Sequence, residues 1–153
     1  MNIVRATTAH VPALAALMAA SPLLRRYAVT ERGARARLAE ARRARDVLMV
    51  ALDRGVVGFA WLILTRALDQ SAYLRLLLIA EDRQSAGIGA ALLRSVEEIA
   101  QRRGARHVAL LVTKTNRRAR AFYERQGYRH IGDLPGFVVP SLDEALYVRE
   151  IGR

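Results

Sequence analysis

A short loop that follows an apolar run and opens a helix is the part of this sequence best suited to bind an anion. The run ends at Ala80, and glycines stand at positions 87 and 89 at the start of a helix pattern. The first N–H groups of a helix lack partners within it and lie at the positive end of the helix dipole. Because Gly87 and Gly89 have no Cβ, a phosphate can approach the backbone there. The segment therefore predicts a cradle for a pyrophosphate.

The loop differs from two widespread phosphate sites. The dinucleotide fingerprint needs a third glycine and a strand near the N-terminus, and the P-loop needs Gly-Lys-Ser/Thr; this sequence has neither. Gly-x-Gly also occurs in ordinary turns, so the segment alone leaves a turn and a phosphate loop as alternatives.

A second segment places an amide and a phenol on one helix face. Asn116 and Tyr123 are seven residues apart, which is about two helical turns. Asn116 stands at the predicted helix start, where its side chain either caps the helix or meets a ligand. Tyr123 carries a phenol with a reference pKa of about 10, which can donate a proton to a leaving thiolate.

The rest of the composition argues against several other chemistries. There is no cysteine, and therefore no disulfide, thiolate metal site or cysteine nucleophile. The histidines, His10, His107 and His130, are scattered singly, so no metal cluster is expected. No apolar run approaches the roughly 18 residues of a membrane span, and the first residues do not resemble an export signal. The predicted location is the cytoplasm, with no membrane partner.

The charge is strongly basic, with 25 Lys and Arg against 14 Asp and Glu and a net charge of +11. Such a balance attracts phosphates. The basic residues are nearly all arginine, as the codon usage of a GC-rich genome would also produce. Residues 102–129 hold nine basic residues and only Glu124 as an acid, so an anion site is most expected there.

Hydrophobic periodicity predicts one α/β domain over residues 1–153, with the order β-α-α-β-β-β-α-β-α-β-β. Strands are predicted at residues 2–5, 47–52, 56–64, 72–80, 108–112, 128–131 and 145–151. Helices are predicted at residues 8–20 with Thr8 as N-cap, 30–43, 87–103 and 116–126. The strand–helix–strand unit in the middle predicts parallel neighbours there and antiparallel hairpins at the edges.

Three elements carry more detailed expectations. The loop Asp53-Arg54-Gly55 predicts a hairpin whose last residue has positive φ. Residues 72–80 are nearly all apolar, which predicts a strand covered on both faces. The helix over residues 87–103 is predicted to bury Ile88, Leu92, Val96 and Ile99, and to leave Arg94, Glu97, Glu98 and Gln101 in solvent.

Two motifs together resemble the GNAT superfamily of acetyl-CoA-dependent N-acetyltransferases. Gln84-x-x-Gly87-x-Gly89 after an apolar strand is similar to the signature of that family. The segment Asn116-x-x-Ala119-x-x-Phe122-Tyr123-x-x-x-Gly127-Tyr128 resembles the second conserved block of the same family. The resemblance spans essentially the whole chain. It implies a GNAT-type mixed sheet of six or seven strands with splayed central parallel strands, flanked by about four helices.

The resemblance also implies where acetyl-CoA, the cosubstrate, would bind, with no metal required. Backbone groups of Leu77, Leu78 and Ile79 would contact the pantetheine arm and the acetyl carbonyl. The pyrophosphate would be held by the amides of Gln84, Ser85, Ala86, Gly87, Ile88, Gly89 and Ala90. Asn116 would meet the pantetheine arm, and Tyr123 would protonate the departing thiolate after direct attack of an amine on the thioester.

The sequence departs from the family patterns at the general base. Tyr73 and Leu111 occupy the positions where family members carry a glutamate. An alkylammonium with a pKa near 10 must still lose its proton before it attacks. The alternatives are a water chain, Glu81 or Asp82 after the apolar strand, and Glu144 on the late strand.

The leading hypothesis is an N-acetyltransferase acting on a primary amine of a small molecule or peptide. The first alternative is an RNA- or ribosome-associated acetyltransferase that uses the basic stretch at 102–129, although no stacking-aromatic pattern favours nucleic acid. The second is a non-catalytic acyl-CoA-binding protein. The hydrophobic loop over residues 134–140 suits either an acceptor site or a homodimer interface.

Overall fold

The computed structural model describes residues 1–84 and 86–152, which form both strands and helices. The strands are β1 (Asn2–Arg5), β2 (Val47–Leu52), β3 (Val56–Leu64), β4 (Ala72–Ile79), β5 (His107–Thr113), β6 (Arg129–Leu134) and β7 (Glu144–Glu150). The helices are α1 (Val11–Ala20), α2 (Pro22–Arg25), α3 (Glu31–Arg43), α4 (Ala67–Gln70), α5 (Ile88–Arg102) and α6 (Arg117–Arg125). The strands form one mixed sheet in the order β1-β2-β3-β4-β5-β7-β6.

The chain divides into two compact units, and β4 contributes residues to both. The first unit comprises Met1–Ile63 and Leu76–Glu98. The second comprises Leu64–Arg75 and Ile99–Arg153. The single domain expected over residues 1–153 stays a prediction.

The first unit packs two helices against an antiparallel β1–β2–β3 meander. Its core joins side chains of α1 and α3 to inward-facing residues of β2 and β3. The largest of these are Leu14, Met18, Leu38, Leu48, Phe59 and Trp61. Removal of this apolar surface from water supplies the main stabilisation of the unit.

A side-chain cap explains where α3 begins, whereas α1 has none. The Oγ1 of Thr30 accepts a hydrogen bond from the backbone N–H of Gly33 at the start of α3. The predicted cap at Thr8 is wrong, because a 3-10 turn over Thr8–His10 comes first and α1 begins at Val11. Pro12, which lacks an N–H, lies in the first turn of α1, where that loss costs little.

The hairpin between β2 and β3 confirms its predicted turn. Gly55 has φ +119°, and Arg54 before it also has positive φ. The backbone N–H of Asp53 donates to the oxygen of Gly55 and closes the loop. The three loop residues were sufficient to predict this turn, because its conformation depends on those residues and not on distant parts of the chain.

Gly58 lies in β3 where the strand packs closely on the end of β4. A Cβ at this position would stand 2.8 Å from the backbone oxygen of Leu78 and 2.8 Å from Cδ1 of Ile79. Since a backbone oxygen moves only with its strand, Gly58→Ala is expected to lower the free energy of unfolding by about 1–3 kcal/mol. Urea unfolding measures this loss. Gly132→Ala is the control, because nothing lies within 4 Å of its Cβ position; equal losses in both variants would contradict the close approach.

The second unit contains the predicted parallel pair. Ala72–Leu74 of β4 pair in parallel with residues 108–110 of β5. β5 pairs antiparallel with β7, and β7 with β6. The parallel centre and antiparallel edges are therefore confirmed, and β6 extends to Leu134, beyond its predicted end at residue 131. The splay of the central strands stays a prediction.

Two burial predictions differ from the structure. The second half of β4, Leu76–Ile79, is only half-buried, although its apolar sequence predicted cover on both faces. Glu97 of α5 is buried, because the buried face of this helix is rotated toward Leu93 and Ala100 relative to the predicted stripe. The half-exposed apolar residues at the end of a central strand are typical of a strand that borders a binding site.

Large apolar side chains remain exposed in the hydrophobic loop and on the neighbouring edge strand. They are Ile131 on β6, and Phe137 and Val138 in the loop before β7. No helix among the described residues has the length and apolar character needed to cross a membrane.

Candidate active site

At the N-terminus of α5, the first backbone donors have no acceptor among the described residues. The first helical hydrogen bond joins the N–H of Ala91 to the oxygen of Gly87, so the amides of Ile88, Gly89 and Ala90 have no acceptor within the helix. The helix spans 15 residues, and its dipole favours an anion at this end. These amides and that of Gly87 could hold a diphosphate.

Gly87 gives this helix start its shape. Its φ is +80°, a conformation that L side chains rarely adopt, and nothing lies within 4 Å of the position a Cβ would occupy. Gly87 and Ala86 are exposed, so an anion can reach the backbone at this point. The space and the conformation both fit an approaching phosphate.

The loop before α5 is fastened to the β2–β3 turn. Arg83, in a 3-10 turn over Glu81–Arg83, forms an ion pair with Asp53. The N–H of Ala80 donates to the oxygen of Val57 at 2.9 Å. Gln84 is exposed, and its Nε2 is 3.5 Å from the oxygen of Ile79, at the limit of a hydrogen bond. Ser85, also predicted to bind the pyrophosphate, lies outside the described residues.

The predicted pantetheine-binding residues Leu77, Leu78 and Ile79 form the end of β4, directly before this loop. The oxygen of Leu78 faces β3 near Gly58. Leu77 and Ile79 are half-exposed, as a strand that contacts a ligand requires. The first unit thus brings together Leu77–Ile79, Gln84 and Ala86–Ala90. Their contacts with a cosubstrate stay predictions.

Tyr123 lies in α6 in the second unit, and its ring is buried. It stacks on Phe122 and meets Tyr128 edge-on, with ring centroids 5.2 Å and 5.7 Å apart. Burial raises the pKa of the Tyr123 phenol well above its ordinary value. The phenol therefore keeps its proton at neutral pH, as a general acid must.

The hydroxyl of Tyr123 has no hydrogen-bond partner among the described residues. A ligand atom that reached this hydroxyl could accept its proton.

Asn116 caps α6 with its own side chain. Its Oδ1 accepts a hydrogen bond from the N–H of Ala119 at 3.2 Å, and its backbone N–H donates to the oxygen of Thr113. The capping alternative is confirmed. The side-chain Nδ2 remains as a group that could meet the pantetheine arm, and that role stays a prediction.

The candidate bases differ sharply in their surroundings. Glu81 and Asp82 are exposed, whereas Glu144 at the start of β7 is buried. Tyr73 is mostly buried, and burial raises the pKa of its phenol, so it is not ionised at neutral pH. Leu111 has no ionisable group. Among the described residues, no group of three or more His, Cys, Asp and Glu could hold a metal ion.

A network of polar side chains that we did not predict from the sequence fastens α6 to β7. The buried hydroxyl of Tyr147 donates to Oε1 of Glu124 at 2.8 Å and accepts from Nε of Arg120 at 3.0 Å. Arg120 also donates to the backbone oxygen of Lys114 at 2.9 Å. The hydrogen bond to Tyr147 raises the pKa of Arg120. Because Glu124 is next to Tyr123, the network fixes the helix that carries the candidate acid.

Tyr147→Phe is expected to lower the free energy of unfolding by about 1–3 kcal/mol, because the hydroxyl bonds two charged groups at once. Thermal or urea unfolding measures the loss. Glu124→Gln is the matched control, since its amide oxygen can still accept from Tyr147 and the loss should be smaller. A Tyr147→Phe protein as stable as the wild type would show that the network does not hold α6.

Comparison with known proteins identifies the fold. The model of the "Acetyltransferase (GNAT) family" matches residues 15–128. An aminoglycoside 6'-N-acetyltransferase solved with coenzyme A superposes with a TM-score of 0.83 at 17% identity, covering 99% of this chain and 97% of the other. No curated protein matches the sequence significantly.

Two further solved structures share the fold over nearly their whole length. The ribosomal-protein-alanine N-acetyltransferase of Brucella melitensis has a TM-score of 0.80 at 23% identity, covering 98% of this chain and 99% of the other. The yncA protein of Salmonella typhimurium, solved with its cofactor acetyl-CoA, has a TM-score of 0.79 at 17% identity, covering 100% and 95%. At these identities the likeness establishes the fold.

Proposed function

Because this chain belongs to the GNAT family of acetyltransferases, which are acyltransferases, we propose that it moves an acetyl group from acetyl-CoA to a primary amine of a small molecule or peptide. The observation that carries this proposal is the start of α5, which follows the half-exposed end of β4. There Gly87 is left-handed, and the first amides have no acceptor in the part of the chain that the structure describes. Such a site fits a diphosphate joined to an extended arm.

The residues of the chain have distinct tasks in this reaction. The amides of α5 hold the diphosphate, and backbone groups of Leu77–Ile79 orient the pantetheine arm beside β4. Backbone N–H donors polarise the acetyl carbonyl, and this helps most as negative charge develops on its oxygen. The amine nitrogen attacks that carbon, and the C–S bond breaks.

Tyr123 acts at the departing sulfur. Its phenol gives its proton to the thiolate of coenzyme A and recovers one from water. The support is its place on α6 and a phenol that carries its proton at neutral pH, since burial raises its pKa. A general acid must carry its proton before the step that it catalyses.

The experiment that tests the function is thiol release from acetyl-CoA in the presence of an amine panel, with the acetylated product identified by mass spectrometry. We expect thiol release that depends on both the protein and an amine. Tight binding of acetyl-CoA without turnover on any amine would instead favour the non-catalytic acyl-CoA-binding alternative.

The second candidate is an acetyltransferase that works on RNA or the ribosome. Its support is the basic stretch over residues 102–129, in which Arg102, Arg103, Arg106, Arg117, Arg118, Arg125 and Arg129 are exposed. Phosphate binding by this surface should weaken steeply with salt. Absence of RNA binding at low ionic strength would remove this candidate. A homodimer and a cytoplasmic location stay predictions.

A further inference from the structure

Three polar side chains share one face of the sheet in the second unit. The register places Tyr73 of β4 beside Ala109 of β5, and Thr113 of β5 opposite Glu144 of β7. Partners in adjacent strands point to the same face, as do residues two apart on one strand. Tyr73, Thr113 and Glu144 therefore lie on the face that carries Ala109.

This face differs from the opposite one in how its apolar residues are covered. On the opposite face Val108, Leu110, Ala145 and Tyr147 are buried. On the face of Glu144, Leu111, Leu146 and Val148 are only half-buried. The polar side chains thus lie among apolar residues that remain accessible, as in a binding surface.

Glu144 lies in a fixed and buried position. Its side chain is 3% exposed, which is unusual for a carboxylate. The preceding residue, Asp143, accepts from the N–H of Lys114 through its backbone oxygen and from the N–H of Gly136 through Oδ1, at 2.9 and 3.0 Å. A buried ionisable group in such a fixed setting is a candidate functional residue.

The surroundings of Glu144 on the sheet come from the neighbouring strands β5 and β6 and from β4, which lies beyond β5. Tyr73 and Arg75 share its face on β4, Thr113 faces it from β5, and Leu134 faces it from β6. The pKa of Tyr73 is raised chiefly by burial, is lowered by Arg75 and is raised again by the charge of Glu144. Tyr73 and Glu144 thus interact electrostatically.

We propose that Glu144 is the group that takes the proton from the acceptor amine, which meets this face of the sheet. The inference rests on the proposed function. The ammonium form of the acceptor first gives a proton to the carboxylate of Glu144, which passes it on to water. The free amine then attacks: as the N–C bond forms and the C–S bond breaks, the nitrogen loses its second proton to water, and the thiolate takes a proton from Tyr123.

Two observations favour Glu144 over the other acids. Within the second unit, Glu144 shares its face of the sheet with Tyr73 and Thr113. Among the described residues, the other buried carboxylate is that of Glu97, which lies in α5 and not on the sheet. The side chains of Glu81 and Asp82 are exposed to solvent, whereas that of Glu144 is buried.

The test compares two amines that differ in their own pKa. The probes are Nα-acetyl-lysine amide, with a side-chain pKa of about 10.4, and alanyl-alanine amide, with an α-amine pKa of about 8. At pH 7, Glu144→Gln is expected to lower kcat/KM for the accepted amine by roughly 100-fold. The loss should shrink as the pH approaches the pKa of the amine, because solvent then supplies the free base. Affinity for coenzyme A should be unchanged.

The control is Glu150→Gln, which removes the same charge from the same face of the same strand at its exposed end and should keep the wild-type rate. A wild-type rate in Glu144→Gln, or a loss of equal size at every pH, would overturn the inference. If Glu144→Gln does not fold, Glu144→Asp tests the inference instead. This substitution displaces the carboxylate, so it should lower kcat if Glu144 accepts the proton. It should lower only the melting temperature if the carboxylate is structural. If the wild type acetylates neither probe, the inference fails. The proposed function fails only if no amine of the broader panel is acetylated.

Discussion

Tyr123→Phe is expected to slow acetyl transfer by about 100- to 10,000-fold, the usual contribution of a general acid, while coenzyme A binds nearly as before. The ring is buried between aromatic neighbours, and phenylalanine preserves that packing. The hydroxyl has no hydrogen-bond partner among the described residues, so its removal leaves none of them unsatisfied. Thiol release at saturating acetyl-CoA, with affinity from calorimetry, separates the chemical step from binding.

Tyr128→Phe is the matched control for this variant. It removes a phenol oxygen from the neighbouring buried ring, whose centroid is 5.7 Å from that of Tyr123, and should leave the rate close to that of the wild type. An unchanged rate in Tyr123→Phe would remove the acid role. Since burial raises the pKa of Tyr123 above its ordinary value of about 10, the acid keeps its proton as the pH rises to at least that value. The wild-type rate should therefore show no loss from this group below pH 10.

The parts of the fold that local signals determine were predictable from the sequence. The β2–β3 hairpin and the start of α5 depend on turn residues and on a change of hydrophobic period over a few positions. The order of elements then limited the sheet to a parallel centre with antiparallel edges. For the same reason the candidate diphosphate cradle could be predicted, since one short segment contains all of it.

Features that depend on distant partners could not be predicted in the same way. Tyr147 binds Arg120 and Glu124, which lie 27 and 23 residues earlier in the chain. Alternation along β7 gives two nearly equally apolar faces, so the sequence does not tell which one is buried. The burial of Glu144 and Glu97 likewise depends on what packs against them. The candidate base was therefore left open, whereas the candidate acid was not.

Gly87→Asp is expected to lower the affinity for coenzyme A by roughly 100-fold. The Cβ would enter the open space beside the backbone that the diphosphate is proposed to approach. Two negative charges about 5 Å apart near a protein surface repel by about 3 kcal/mol, which corresponds to roughly two orders of magnitude in Kd. Calorimetric titration with coenzyme A measures the effect, and added salt should reduce it.

Gly87→Asn separates the charge from the backbone strain. Asparagine has nearly the shape of aspartate and tolerates the positive φ of this position equally well, so its loss should be at most about tenfold. S-acetylpantetheine, which lacks the diphosphate, should bind both variants alike. If aspartate and asparagine weakened coenzyme A binding equally, the diphosphate would lie elsewhere. A carboxylate about 5 Å from the diphosphate must repel it, because solvent screens a charge at so short a distance only in part.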